Sequence, residues 1–132
     1  MIVVTVFIQE HWLLPTELDT LNHMHRDFYG VGHSAVDVSK DILVGRPYGG
    51  TGILYRKYVA HCVSTVDTYD SRITAVTFNA VVGQISMMSV YIPTDYGTYD
   101  SYEQYADICL KIVALYEDSA AVNIVLCGDF NC

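Results

Sequence analysis

The chain reads as a layered α/β protein, and three observations predict it. The first is a set of apolar, β-branched runs of strand length: Ile2 to Ile8, His61 to Val66, Arg72 to Phe78, Gln84 to Ile92 and Val122 to Cys127. The second is one stretch of helical periodicity. In it Tyr102, Tyr105, Ala106, Cys109, Ile112, Val113 and Tyr116 recur at i, i+3, i+4 and i+7. The third is their order, several strands, then the helix, then a last strand, which sets a helix outside a sheet.

In chain order, Ile2 to Ile8 predicts a buried strand ending at Gln9-Glu10-His11-Trp12. Pro15 and Thr16 open a short helical stretch through Leu18 and Leu21, polar enough to lie on the surface. Phe28 to Val36 predicts a strand broken by Gly30 and Gly32, and Asp37 to Tyr48 a loop. Gly49-Gly50-Thr51-Gly52 then leads into Ile53-Leu54-Tyr55. A glycine-rich loop invites a phosphate-cradle reading, but the Lys-Ser/Thr of a P-loop is absent and no helix follows. These glycines are therefore read as letting strands turn and pack closely. Asn79 to Gly83 predicts a hairpin connection, and Pro93 ends the preceding strand after Tyr91. Ser101 with Gln104 predicts a capping box, and Asp107 with Lys111 an ion pair on the helix's polar face. Val122 to Cys127, apolar at five of six positions, predicts a strand buried on both faces.

The 132 residues make one domain or part of one, and 52% apolar residues supply a core and exclude disorder. Seven basic against fifteen acidic residues leave a net charge of −8, which excludes nucleic-acid binding by bulk attraction. Contact with a polyanion would need a local basic cluster, for which Arg46, Arg56, Lys57 and Arg72 are available, or a metal ion between protein and phosphate. Cys62, Cys109, Cys127 and Cys132 show no CxxC spacing and read as free thiols in a reducing compartment. Met1 to Ile8 lacks the basic flank of a signal peptide, and no stretch approaches the roughly 20 apolar residues of a membrane span. A soluble intracellular protein with no membrane partner is expected. His23 and His25 form an HxH pair, but no further ligand stands near, so solvated loop histidines are expected.

Polar groups stand at three strand ends: Glu10, Tyr91 and the pair Asp129 and Asn131 of Gly128-Asp129-Phe130-Asn131. A hard divalent cation takes carboxylate oxygens and keeps positions for water and phosphate. An Asp can orient or deprotonate water, while an Asn amide and a Tyr hydroxyl can hydrogen-bond phosphate oxygens. The alternatives are a turn in which Asp129 and Asn131 cap their own backbone, and a core role for Tyr91.

Gln9-Glu10, Gly49-Gly50-Thr51-Gly52-Ile53, Arg72-Ile73, Val90-Tyr91-Ile92-Pro93 and Gly128-Asp129-Phe130-Asn131 together resemble the endonuclease/exonuclease/phosphatase superfamily of metal-dependent phosphodiesterases. Gln9-Glu10-His11-Trp12-Leu13 and Gly49-Gly50-Thr51-Gly52 look most like the apurinic-type endonuclease of non-LTR, LINE-like retrotransposons. The resemblance implies a partial four-layer α/β/β/α sandwich over residues 1–132. It also implies Mg²⁺, with Mn²⁺ as the alternative. Glu10 would be the metal ligand, Tyr91 the phosphate contact, Asp129 the group orienting the water, and Asn131 a support for phosphate or nucleophile. His11 departs from the Thr of many relatives, which bears on surrounding contacts rather than on the metal.

The implied activity is DNA nicking, with DNA as partner, a reverse transcriptase domain on the same polypeptide, and the nucleus as its place of action. The alternatives are a cellular phosphodiesterase or phosphatase of the same superfamily, and a non-catalytic remnant. The family's Asn-bearing first strand and its later Asp-His segment have no counterpart here. The expectation is a fragment lacking its first strand and C-terminal half, inactive alone, with exposed sheet edges.

Overall fold

The computed structural model describes residues 4–39 and 49–131. Ile2, Cys132, Arg46 and most of the loop expected over Asp37 to Tyr48 lie outside them. Two sheets face one another. The first is antiparallel with order β1-β3-β2, formed by β1 (Thr5–Gln9), β2 (Phe28–His33) and β3 (Thr51–Arg56). The second has the order β4-β5-β6-β7, with β4 (Val63–Val66), β5 (Ile73–Ala80), β6 (Gly83–Tyr91) and β7 (Asn123–Asp129). β4, β5 and β6 are antiparallel, and β7 returns parallel to β6 after the helix α1 (Tyr99–Asp118). A parallel return needs such a crossover, because a tight turn can join only antiparallel strands. The mixed α/β layering expected from the apolar runs is the layering observed.

Side-chain alternation sorts β5 and β6 into two faces. Ile73, Ala75, Met88 and Val90 form a core with Ile92 and with Ile108, Ile112 and Leu115 of α1. Thr74 and Ser89, paired in register, face the first sheet instead. On the far side of the first sheet, a 3₁₀ helix (Pro15–Asn22) seats Leu21 against Phe28 and Leu54. Burying each such side chain contributes about 1.5–3 kcal/mol.

Five expectations need correction. β2 is not broken by its glycines but runs straight through Gly30 and Gly32. Their missing Cβ atoms admit Leu21: a Cβ on Gly30 would lie 2.6 Å from Leu21 Cβ and one on Gly32 2.7 Å from Leu21 Cδ1. His61 to Val66 is a strand only from Val63, because Lys57–Cys62 forms a second 3₁₀ helix. Helix α1 begins a turn earlier than expected: Thr98 Oγ1 accepts from Ser101 N, and Ser101 Oγ accepts from Thr98 N, so the capping box is Thr98 with Ser101. The side of α1 on the sheet carries Ser101, Ile108, Ile112 and Leu115, and Tyr102, Tyr105, Val113 and Tyr116 are exposed. The helix has two apolar stripes, and periodicity cannot rank them.

Nor is the last strand buried on both faces. β7 lies at the sheet's edge among the described residues, with Ile124, Val125 and Leu126 each more than a third exposed. The hairpin and the Asp107–Lys111 pair stand as expected. Val81 and Val82 are the two turn residues between Ala80 and Gly83. Lys111 Nζ lies 2.7 Å from both Asp107 and Asp70, tying α1 to the loop before β5. Cys62, Cys109 and Cys127 carry free thiols. No helix among the described residues is long and apolar enough to cross a membrane.

Candidate active site

Glu10, Tyr91, Asp129 and Asn131 converge on one rim of the sandwich although β1 belongs to one sheet and β6 and β7 to the other. Gln9 at the end of β1 donates from Nε2 to Ser89 Oγ at 2.8 Å, and Ser89 Oγ donates to the Ile8 carbonyl at 2.9 Å. This double link sets the end of β1 over the end of β6. Glu10 follows, held by its N–H to the Gly50 carbonyl at 2.8 Å, and Trp12 N bonds the Gly49 carbonyl at 3.0 Å. Glu10 has φ 53° and Trp12 φ 60°. A non-glycine residue in the left-handed region is strained, and such strain gathers where a side chain must be aimed.

Tyr91 and Asp129 are register partners on β6 and β7, so they share a face. Hydrogen bonding toward the Glu10 carboxylate, then burial, then the Glu10 and Asp129 charges hold the Tyr91 pKa above the ordinary phenol value. Tyr91 is therefore a neutral donor throughout the physiological range. Beyond β7, Asp129 Oδ1 accepts from Asn131 N at 3.1 Å, while Asn131 Nδ2 donates to the Ile92 carbonyl at 2.8 Å. Asn131 also sits at a left-handed φ, 44°. The turn in which Asp129 caps its own backbone is thus present, and it leaves the other carboxylate oxygen and one amide N–H of Asn131 for a ligand.

Behind the rim lies a polar seam between the sheets, whose Thr74 and His33 no motif in the sequence marks. Thr51 Oγ1 and Thr74 Oγ1 are 2.9 Å apart, Thr51 Oγ1 donates to the Ser71 carbonyl at 3.1 Å, and His33 Nδ1 is 3.1 Å from Thr74 Oγ1. His11 Nδ1 accepts from Leu13 N and Nε2 faces the His33 carbonyl at 3.0 Å, so the ring is neutral with its proton on Nε2. It lies over Gly50, whose φ of 88° and absent Cβ leave room for it. His11 thus works in the supporting contacts, not at the Glu10 carboxylate.

Burial lowers the pKa of both His11 and His33; for His33 the Asp67 and Asp70 charges oppose it, and for His11 the carbonyls of His33 and Thr51. The unfolded chain therefore binds more protons below the ordinary histidine value of about 6.5. The stabilisation is full above that value and is lost as pH falls through the lower, folded one. Urea midpoints should drop from pH 7.5 to pH 5.5, and His33→Gln should flatten that slope; an unchanged slope in the variant would remove His33 from the seam.

Arg72 borders a hollow of about 460 Å³ with Gly49, Gly50, Tyr69 and Tyr91, and donates from Nη2 to Gln104 Oε1 at 3.1 Å. Arg56 is at the other end of β3, paired with Asp27 at 3.3 Å and stacked over Phe28, and Lys57 stacks on Tyr29. His23 and His25 lie exposed beside Asp19 and Asp27.

The fold is thus a two-sheet α/β sandwich with carboxylates, a phenol and an amide gathered at one rim. The chain belongs to the endonuclease/exonuclease/phosphatase family, whose sequence pattern matches residues 4–132. No curated protein matches the chain by sequence. Among solved structures it is similar to humanized D. rerio TDP2 carrying 14 mutations, at 14% identity and TM-score 0.59, over 97% of this chain and 49% of that one. It is also similar to the human Nocturnin catalytic domain with bound sulfate anion, at 14% identity and TM-score 0.60, over 97% and 51%. A third is D. rerio TDP2 complexed with single strand DNA product, at 18% identity and TM-score 0.53, over 97% and 48%. At these identities the likeness is one of fold, and the chain spans about half the length of the structures it matches.

Proposed function

We propose that this chain carries the metal and phosphate side of a nuclease site that hydrolyses DNA phosphodiester bonds, of the kind found in non-LTR retrotransposons. The observation that carries the reading is the convergence of Glu10, Tyr91, Asp129 and Asn131 from two sheets, with Glu10 and Asn131 in left-handed backbone. The retrotransposon reading is supported by the two stretches that resemble such endonucleases, which bond to each other: Glu10 N to Gly50 O, and Trp12 N to Gly49 O. D. rerio TDP2 with its single strand DNA product is a related fold acting beside nucleic acid. In the parent element a reverse transcriptase domain would share the polypeptide and the nucleus would be the place of action.

The residues fit a divalent cation of the Mg²⁺ type. Glu10 and Asp129 are exposed at the rim, and no group of three or more ligating side chains closes around a point among the described residues. Mg²⁺ prefers such an open site, with one or two carboxylates and the rest water and phosphate. Glu10 would hold it, with Mn²⁺ as substitute; the ion supplies Lewis-acid stabilisation of charge on the phosphate. Asp129 orients a water through its free oxygen and takes its proton. Tyr91, kept neutral, donates to a phosphate oxygen, and the Asn131 amide steadies the same group. The sequence contains no Asp-His pair to stand opposite. The 132-residue chain alone is therefore expected to be inactive, and cleavage is proposed for the completed domain.

Calorimetric titration tests the metal. Mg²⁺ or Mn²⁺ should bind weakly to the chain and not at all to Glu10→Gln; binding that survives the substitution overturns the assignment. A second reading, a cellular phosphodiesterase acting on a small phosphate ester, is favoured by the charge of −8. Cleavage of a nucleotide or inositol phosphate in preference to plasmid would establish it.

A further inference from the structure

The stretch linking β6 to α1, and the first turns of α1, present tyrosines to solvent. Tyr96, Tyr99 and Tyr102 are 79%, 74% and 67% exposed, and Tyr105 is partly so. Tyr99, Tyr102 and Tyr105 follow at i, i+3 and i+6, so they succeed one another around one side of the helix. Tyr99 and Tyr102 lie away from the sheet core, while Tyr105 borders the face of Ser101 and Ile108 that packs on it. The patch adjoins the rim. A hollow of about 240 Å³ is lined by Tyr102, Tyr105, Asp95 and Asn131, so the proposed catalytic amide forms part of its wall. Tyr96 is close enough for its phenol to act electrostatically on that of Tyr91.

The loop carrying the patch is fixed. Asp95 Oδ1 accepts from Gly97 N at 2.7 Å and from Ser101 Oγ at 2.8 Å, joining the loop to the capping turn of α1. A Cβ on Gly97 would meet nothing within 4 Å, so the loop tip faces open space. The aromatic rings are thus presented on a rigid mount.

The charges around the patch decide what fits. Between Arg72 and Lys111 the sequence has no Lys, Arg or His, while Asp95, Asp100, Glu103 and Asp107 lie among the tyrosines. The carboxylates repel phosphate along most of this surface, but Arg72 reaches it, its Nη2 3.1 Å from Gln104 Oε1 of α1, and borders the hollow beside Tyr91. Aromatic side chains hold unpaired bases by their faces, whatever the base, because every base has a π-face. Tyrosine suits this use, being large, stiff and content in water.

We infer that Tyr96, Tyr99 and Tyr102 form a stacking platform for unpaired bases of a single strand whose phosphate lies at the Tyr91 and Asn131 rim. The inference rests on the nuclease reading and adds to it the form of the substrate: a strand with bases free to leave the duplex stack. The bases are gripped beside the rim while the backbone keeps to the Arg72 side of the patch, away from the acidic side chains.

Fluorescence anisotropy with the 132-residue chain in EDTA tests this. The probes are a labelled thymidine dodecamer and an abasic strand of the same length, which keeps the phosphates and lacks the bases. The thymidine strand should bind and the abasic strand should not, with a shallow dependence on salt, since few counterions are released. Each of Tyr99→Ala and Tyr102→Ala should weaken binding roughly tenfold, and Tyr99→Phe and Tyr102→Phe should restore it. Because EDTA removes any metal, base-dependent binding can hold while the hydrolytic reading fails, and the reverse. Equal affinity for the two strands, no binding of either, or indifference to both alanine variants overturns the platform. So does loss of self-association in the alanine variants without any effect on oligonucleotide, which would make the patch a protein interface.

Discussion

Asp129→Asn should abolish plasmid nicking, by on the order of a thousandfold or more, when the chain is joined to the N- and C-terminal segments of a full-length family member. General-base action contributes roughly a hundred- to ten-thousandfold, and removing one group that meets developing charge costs about a hundred- to a thousandfold. The substitution separates chemistry from structure. The carboxamide oxygen of the new residue can still accept the Asn131 N–H that Asp129 Oδ1 accepts at 3.1 Å, so the turn survives. The thermal midpoint should therefore stay within a degree or two while nicking of supercoiled DNA disappears. Retained nicking would remove Asp129 from the reaction, and nicking by the unextended chain would overturn the view that a further segment is required.

Gly128→Ala should be the most damaging single-methyl change in the described chain. Gly128 is the register partner of Val90, and here the ends of β6 and β7 come unusually close. An added Cβ would collide with the Val90 carbonyl oxygen and lie 2.7 Å from its carbon and 3.0 Å from Val90 N. All three are backbone atoms of a buried strand, so no rotamer relieves the clash. Overpacking of this kind costs about 3 kcal/mol, which for a domain of this size lowers the midpoint by roughly 10 °C. Gly97→Ala supplies the control: its φ is 68°, but the space is open, so only the backbone strain of about 1 kcal/mol applies. Calorimetric midpoints that fall equally in the two variants would contradict this packing argument. The leading glycine of Gly-Asp-Phe-Asn thus has a mechanical reason. It lets β7 close on β6 so that Asp129 stands beside Tyr91.

What the sequence made legible follows from what apolar patterning encodes. The strand runs, the single long helix and their order were all visible, because each states a periodicity. Glu10, Tyr91, Asp129 and Asn131 stood out as candidates because each follows or ends an apolar run with a polar group, and that they share one rim is legible only once the two sheets are docked. Burial on a particular side was not. The tyrosine stripe and the Ile108, Ile112 and Leu115 stripe of α1 obey the same period, and only the neighbouring sheet distinguishes them. β7 looked doubly buried because apolar content cannot say whether a neighbouring strand is present. Gly30 and Gly32 looked like breaks because the reason for them, Leu21, lies on another element. Ser89 and Thr74 gave no signal at all, and Thr51 stood out only as part of Gly49-Gly50-Thr51-Gly52. A small hydroxyl residue inside a strand reads as a weak strand former until its partner across the seam is known.

The polar seam also bears on how the site comes into being. Gln9 reaches Ser89 across 80 residues of chain, and Thr51 reaches Thr74 across 23. Neither sheet holds the rim by itself, since Glu10 belongs to one and Tyr91, Asp129 and Asn131 to the other. Contacts so distant in sequence carry a large loop-closure cost and form slowly. A chain with both sheets formed but not yet docked would have full secondary structure and no site. The assembled rim is therefore reserved for the completely folded chain, and a partly folded polypeptide holds Glu10 apart from Tyr91, Asp129 and Asn131.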